Sequence, residues 1–212
     1  MNKVFVLGMG PGSKAYIPPV TVDVIGQCDV LIGGERHLQY FQELGKEMIP
    51  IKADLPAILD YVMENREHKK IGFLLSGDTG FYSMLTYLKK HFKTNELEVY
   101  PGISSFQYLL ARIGETWQDA YVGSLHGREF NLVQAIKENE KVIVLTDHKY
   151  TPSKIASILL ENHMKDIVLV VGENLSYESE RIVFGKPEEI VEHENFEMSV
   201  VVIMKDDRKM EV

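Results

Sequence analysis

The sequence has little of what marks disulfide-rich, zinc-binding or membrane proteins. Its 212 residues include a single cysteine, Cys28, and a single tryptophan. One cysteine cannot form an internal disulfide or a cysteine-rich zinc site, which favours a reducing cytoplasm. No apolar run approaches the roughly 18 residues of a membrane span, and the first run, Val4–Leu7, is too short for a signal peptide. We therefore expect a cytoplasmic protein with no membrane partner.

Positive charge is also scarce. There are 23 Lys and Arg residues against 31 Asp and Glu residues, which gives a net charge of -8. This balance argues against a general nucleic-acid binder, because contacts to the phosphate backbone need basic residues. Metal-ligand patterns such as H-E-x-x-H are missing as well, so we expect no metal held by the protein itself.

The first half alternates short β-branched runs with amphipathic segments of helix length. This order is typical of a parallel α/β sheet, and the near absence of polar alternation is expected for strands covered on both faces. The predicted strands are Val4–Leu7, Val30–Ile32, Ile71–Leu75 and Leu97–Tyr100, and the predicted helices are Thr21–Gln27, His37–Leu44, Leu55–Asn65 and Ser83–Phe92.

The pattern changes after about residue 112, where the segment 113–119 breaks the periodicity. We place a domain boundary there, which predicts an N-terminal α/β domain over 1–114 and a C-terminal domain over 115–212. The second half has more strands than connecting helices, so we expect a mixed α/β sheet. Its predicted strands are Ala120–Ser124, Val142–Leu145, Ile167–Val171, Arg181–Phe184 and Ser199–Met204, and its predicted helices are Asn131–Glu138, Thr151–Asn162 and Pro187–Val191.

Three turns rich in glycine and small polar residues directly follow predicted strands. They are Gly8–Ser13, Ser76–Phe81 and Pro101–Ser105. Parallel strands end at a common edge of the sheet, and α/β proteins bind ligands there. Each turn alone has a plainer explanation, as a tight turn or as a helix cap. Together they predict a crevice for a nucleoside-sized ligand.

The glycine spacing argues against two common nucleotide-binding loops. The pattern G-x-G-x-G at 8–12 differs from the G-x-G-x-x-G of nicotinamide-binding Rossmann loops, and Gly12-Ser13-Lys14 reverses the G-K-[ST] of phosphate-binding P-loops. The loop of the commonest class of S-adenosylmethionine methyltransferase does not match either, because that class usually has an acidic residue where this chain has Leu7. A nicotinamide oxidoreductase is therefore disfavoured, while a plain tight turn stays open.

In order, spacing and flanking strands, the three turns resemble those of the tetrapyrrole methylase family, whose members use S-adenosylmethionine on corrin and porphyrin precursors. Family-like features continue at 144–147 and 171–175. Three short sequence segments resemble one branch of the family, whose members methylate ring carbon 5 of precorrin-7 in cobalamin synthesis. These segments are Gly33–Leu38, Ser124–Arg128 and Leu145–His148. The resemblance implies two α/β domains, an active site in the cleft between them, and a homodimer.

The resemblance also implies which residues bind the cofactor, S-adenosyl-L-methionine. The implied contacts are Pro11, Gly77, Asp78, Phe81, Ser104 and Ser105, with Thr146 and Leu175 from the second domain. Two positions depart from the family pattern. Thr79 stands where the family often has proline, which makes the turn after Asp78 less rigid, and Leu175 stands where relatives often have glycine.

A tetrapyrrole precursor carries many carboxylates, so we expect basic side chains to be concentrated at the site of this acidic protein. Arginine binds carboxylates through two hydrogen bonds, and histidine can both bind anions and relay protons. The candidates for substrate binding are Arg36, His37, His126 and Arg128, and those for catalysis are Glu35, His126 and Arg128. For each of them a solvated surface charge is the alternative.

The leading hypothesis is thus an S-adenosylmethionine-dependent methyltransferase acting on a corrin-ring carbon. The alternatives are a family member with another ring carbon or a macromolecule as substrate, and a non-catalytic carrier of a tetrapyrrole or nucleotide. Some relatives are fused to a second, decarboxylating methyltransferase domain, for which 212 residues leave no room. We therefore expect that activity in a separate protein of the same pathway. Any cobalt would belong to the substrate.

Overall fold

The computed structural model describes residues 2–52, 54–125, 131–164, 166–193 and 195–205. The chain forms two compact units, Met1–Ser104 and Ser105–Val212. Each unit has its own β-sheet with helices packed against it. Among the described residues, no helix is both long enough and apolar enough to cross a membrane.

The first unit contains a parallel sheet. Its elements are β1 (Val4–Gly8), α1 (Pro19–Gln27), β2 (Val30–Gly33), α2 (Glu35–Gln39), β3 (Glu47–Pro50), α3 (Leu55–Asn65), β4 (Ile71–Leu75), α4 (Leu85–Leu88) and β5 (Leu97–Tyr100). The strand order is β3-β2-β4-β1-β5, and these neighbours pair in parallel. The predicted parallel α/β sheet is confirmed, with the unpredicted β3 at one edge, where a strand tolerates proline.

Both faces of this sheet are covered, which explains its apolar strands. On one face Val6, Ile32 and Phe73 pack with residues of α3. On the other face Leu7 and Leu31 pack with residues of α1 and α2. Because β1 lies between β4 and β5, the turns that follow these three strands leave the sheet side by side.

Two helices of the first unit, α2 and α4, differ from their predicted bounds by more than two residues at one end. Helix α2 begins at Glu35, two residues before the predicted start, because the Gly34 carbonyl already accepts hydrogen bonds from the backbone N–H groups of His37 (2.9 Å) and Leu38 (3.1 Å). Helix α4 is shorter than predicted. The hydroxyl of Ser83 donates to the carbonyl of Thr79 and keeps the residues before α4 in a turn.

The second unit contains the mixed sheet that the sequence predicts. Its elements are α5 (Ser105–Arg112), β6 (Tyr121–Ser124), α6 (Leu132–Glu138), β7 (Lys141–Leu145), α7 (Pro152–Glu161), β8 (Ile167–Glu173), β9 (Arg181–Gly185), α8 (Pro187–Ile190) and β10 (Ser199–Lys205). The strand order is β6-β7-β10-β8-β9. Strands β6 and β7 are parallel, and β10 runs antiparallel to β7 and β8, as β9 does to β8.

Helix α5 belongs to this second unit. Its Leu109 is fully buried, and a Cβ atom placed on Gly172 of β8 would lie 2.9 Å from the Cδ1 atom of Leu109. Glycine at 172 therefore lets the helix approach the sheet closely. The compact units divide before α5, whereas the change in sequence pattern places the boundary after residue 114, so the limits of the two domains stay a prediction.

Candidate functional site

The turns after β1 and β4 are joined through their backbones. The N–H of Gly10 donates to the carbonyl of Gly77 (3.2 Å), and the N–H of Gly77 donates to the carbonyl of Gly10 (2.9 Å). Both residues have positive φ angles, 77° and 68°, which glycine adopts without a steric cost. The pairing therefore fixes the two turns against each other.

The turn after β5 comes into direct main-chain contact with the other two. A Cβ atom on Gly102 would lie 2.2 Å from the carbonyl oxygen of Gly77, and one on Gly8 would lie 2.4 Å from the backbone nitrogen of Gly102. Neither position can hold a side chain unless the backbone moves. The three turns thus form one continuous edge, with peptide groups and small side chains at its centre.

Asp78 holds two of these turns together with its carboxylate. Its Oδ1 atom accepts a hydrogen bond from the N–H of Gly80 (2.8 Å), and its Oδ2 atom accepts one from the N–H of Gly102 (3.1 Å). Hydrogen bonds to an ionised acceptor are stronger than neutral ones. Thr79 adds a bond from its hydroxyl to the carbonyl of Tyr100 (3.3 Å). The carboxylate at 78 therefore organises the edge at which the sequence predicts cofactor binding.

Helix α2 and the residue after it anchor the same turns from the side of β2. The guanidinium of Arg36 donates from Nη2 to the hydroxyl of Ser76 (2.9 Å), and the hydroxyl of Tyr40 donates to the carbonyl of Gly12 (3.1 Å). Lys14, after the glycine-rich turn, donates to the carbonyl of Tyr40 (3.3 Å). Sequence reasoning missed Tyr40. The available signal was its spacing of four residues from Arg36, which places both on one helical face.

The other predicted cofactor residues of the first unit lie at this edge as well. Pro11 is buried between Gly10 and Gly12, Ser104 is buried, and Phe81 is half-buried. A Cβ atom on Gly77 would lie 3.6 Å from the Cα atom of Ser104. Ser105 starts α5 and is grouped with the second unit.

The predicted substrate-binding and catalytic residues have different environments. His37 is only 3% exposed, and its burial, with a smaller effect of the neighbouring Arg36, lowers its pKa to about 4. It carries no positive charge at neutral pH, which differs from the basic role predicted for it. Glu35 is exposed and lies 3.8 Å from Lys52 in an ion pair. His126 and Arg128 lie outside the described residues.

In the second unit, Thr146 and Leu175 follow β7 and β8, two strands that both run antiparallel to β10 and therefore end at one edge. The hydroxyl of Thr146 donates to the carbonyl of Ser199 (2.6 Å). Leu175 is buried beside β8, where a Cβ atom on Gly172 would lie 2.8 Å from its Cδ2 atom. Their predicted contacts to the cofactor stay predictions. Among the described residues, no group of three or more His, Cys, Asp or Glu side chains has the arrangement of a metal site.

Comparison with known proteins gives consistent matches along the chain. A family model described as tetrapyrrole (corrin/porphyrin) methylases matches residues 3–191. The chain is 36% identical over 201 residues to a cobalt-precorrin-7 C(5)-methyltransferase of Salmonella typhimurium, which covers 95% of this chain and 98% of the relative. It is 29% identical to a decarboxylating precorrin-6Y C(5,15)-methyltransferase of Sinorhizobium sp, over 84% of this chain and 43% of the relative.

A solved structure shows the same fold. The crystal structure of a cobalamin-biosynthesis precorrin-6Y methylase from Archaeoglobus fulgidus matches with a TM-score of 0.74. The match covers 96% of this chain and 98% of the other, at 20% sequence identity. At that identity the likeness concerns the fold, which has the same two-sheet architecture described above.

Proposed function

Because the chain belongs to the tetrapyrrole (corrin/porphyrin) methylase family and is a methyltransferase, we propose that it methylates ring carbon 5 of precorrin-7 or its cobalt form. The proposed methyl donor is S-adenosylmethionine. The substrate follows the name of the Salmonella relative, which this chain matches over nearly the full length of both proteins.

The observation that carries the proposal is the edge formed by the three turns. A zwitterionic nucleoside needs main-chain donors and acceptors at close range, and glycine at 8, 77 and 102 lets the three turns pack against one another, so that their peptide groups come together at one edge. The residues proposed to hold the cofactor are Pro11, Gly77, Asp78, Phe81, Ser104, Ser105, Thr146 and Leu175. When bound, S-adenosylmethionine supplies a methyl group already activated by its sulfonium sulfur.

Because the methyl group is already activated, the protein has to orient the donor and the accepting ring carbon and to exclude water. Well-aligned reactants can gain roughly 7–11 kcal/mol from positioning alone. The hydrogen bonds of Asp78, Arg36 and Tyr40 to the three turns hold the edge in one arrangement, which is what such alignment requires.

The substrate must be held by its carboxylates, and the accepting ring carbon must lose a proton. We propose that Arg36, His126 and Arg128 bind carboxylates, and that Glu35 or His126 handles the proton. His37 is left out of the carboxylate-binding set because it is buried and neutral at pH 7.

The two relatives also support a proposal about a pathway partner. The Salmonella relative is named only for C(5) methylation, whereas the Sinorhizobium relative is named for C(5,15) methylation with decarboxylation, and the match covers 43% of it. We propose that a separate decarboxylating methyltransferase acts in the same pathway as this chain. We also propose a cytoplasmic location, which the single cysteine favours, and a homodimeric state, which the family resemblance implies.

Two measurements test the proposed function. Calorimetric titration should show binding of S-adenosylhomocysteine and none of NADH. Incubation with methyl-labelled S-adenosylmethionine and precorrin-7, with and without cobalt, should move the label to the tetrapyrrole. Binding of S-adenosylhomocysteine and of precorrin-7 without transfer of the label would identify a carrier instead and contradict the proposal.

A further inference from the structure

Tyr82 has a backbone conformation that is unusual for an aromatic residue. It lies in the segment between β4 and α4, four residues after Asp78, with a φ of 46°. This left-handed region is disfavoured for residues with a Cβ atom, and for bulky residues it is a true outlier. In the same site the protein uses glycine, at Gly10 and Gly77, where it needs a positive φ.

The turn around Tyr82 explains why the chain reverses there but not why the residue is tyrosine. The N–H of Phe81 donates to the carbonyl of Asp78 (3.3 Å), and the hydroxyl of Ser83 donates to the carbonyl of Thr79, so both sides of Tyr82 are tied back to the start of the turn. Glycine would make this reversal at no steric cost. The backbone geometry alone therefore gives no reason for tyrosine at this position, and the reason is sought in what surrounds its side chain.

The side chain of Tyr82 is presented to solvent. It is 43% exposed, and its ring packs edge-on against the ring of Phe81, with 4.7 Å between the centroids. Phe81 is itself a proposed cofactor contact. The exposed ring therefore lies one side chain away from the proposed cofactor site, on the turn that Asp78 ties to the rest of the edge.

We propose that Tyr82 binds the substrate by packing its ring against a conjugated part of the tetrapyrrole. This inference rests on the proposed function. A tetrapyrrole has carboxylates at its rim and a broad conjugated surface, and basic side chains can hold only the rim. An aromatic ring suits the remaining surface, because stacked or edge-to-face contacts between π-systems are favourable beyond the area they bury.

The test compares two variants of Tyr82 with one control variant elsewhere in the chain. Tyr82→Gly removes the ring and relieves the backbone strain. We expect it to unfold at the same or a higher urea concentration than the wild type, while its KM for precorrin-7 rises roughly tenfold. Its affinity for S-adenosylhomocysteine should stay within about twofold. Tyr82→Phe keeps the ring and should keep the wild-type KM.

The chain offers a matched control in His163, an exposed residue with a φ of 58° just after α7 in the second unit. His163→Gly relieves the same kind of strain and should leave the KM unchanged. A wild-type KM in Tyr82→Gly would refute the inference, and so would an equal loss of affinity for S-adenosylhomocysteine. Absence of methyl transfer by the wild-type protein would instead refute the proposed function and this inference together.

Discussion

Replacing Gly102 with alanine should impair cofactor binding through a steric conflict at the centre of the site. The new Cβ atom would lie 2.2 Å from the carbonyl oxygen of Gly77 and 2.9 Å from the carbonyl carbon of Gly8. Both obstacles are main-chain atoms of other turns, so no side chain can rotate away. The turns must therefore separate by about 1 Å to restore ordinary contact distances.

The energetic cost of Gly102→Ala has two parts. Forcing an extra carbon into a well-packed region typically costs about 1–3 kcal/mol. Separating the turns also weakens the hydrogen bond from the N–H of Gly102 to Asp78, and bonds to charged groups contribute about 1.5–3 kcal/mol. We expect the free energy of unfolding to fall by about 3 kcal/mol. A displacement of about 1 Å in an active site can lower the reaction rate roughly a hundredfold. We therefore expect the affinity for S-adenosylhomocysteine to fall at least about tenfold.

Urea unfolding and calorimetric titration measure the two effects of Gly102→Ala. The matched control is Gly26→Ala in α1, where an added Cβ atom meets nothing within 4 Å. That variant should gain up to about 1 kcal/mol in stability through helix propensity and bind the ligand normally. If Gly102→Ala had wild-type stability and affinity, the close contact of the three turns would be refuted.

Three further variants test other parts of the site. Asp78→Asn should weaken binding of S-adenosylhomocysteine roughly tenfold in calorimetry, because it removes the charge that two backbone N–H groups share; unchanged affinity would show that the charge is dispensable. His37 has a folded pKa of about 4 against 6.5 for the free side chain, so the unfolded chain binds more protons between these values. The free energy of unfolding, measured with urea, should therefore fall by on the order of 3 kcal/mol as the pH falls from 6.5 to 4, and that of His37→Gln should fall much less. A His37→Gln curve parallel to that of the wild type would contradict the assignment. Arg128→Ala should raise the KM for the substrate more than the Kd for S-adenosylhomocysteine, and an equal loss of both would mean that its segment has a structural role.

The sequence predicts the strands of the first sheet well, because the pattern of apolar residues reflects which residues are buried. The strands Val4–Gly8 and Ile71–Leu75 have almost no exposed residues, and their apolar runs indicate a sheet covered on both faces. Because parallel strands end at one edge of the sheet, the sequence also predicts that the three turns share that edge. Their adjacency depends on β1 lying between β4 and β5, which the strand pairing shows and the order along the chain does not.

The features that sequence reasoning missed depend on contacts between distant residues. The spacing of Tyr40 from Arg36 places both on one helical face but cannot show that Tyr40 bonds to Gly12, since these two residues are 28 positions apart. His37 looks basic in the sequence, and only its burial in the folded chain accounts for its low pKa. The left-handed conformation of Tyr82 differs from these two cases, because local hydrogen bonds on both sides of the turn set it, but the propensity of tyrosine does not predict it.

The most direct measurement is the position of the new methyl group in the product. Precorrin-7, with and without cobalt, would be incubated with methyl-labelled S-adenosylmethionine and the purified protein, and the product analysed by mass spectrometry and NMR. We expect one labelled methyl group at ring carbon 5, with the carboxylates of the substrate intact. A label at another ring carbon, or unchanged precorrin-7 from protein that binds S-adenosylhomocysteine, would contradict the proposed activity.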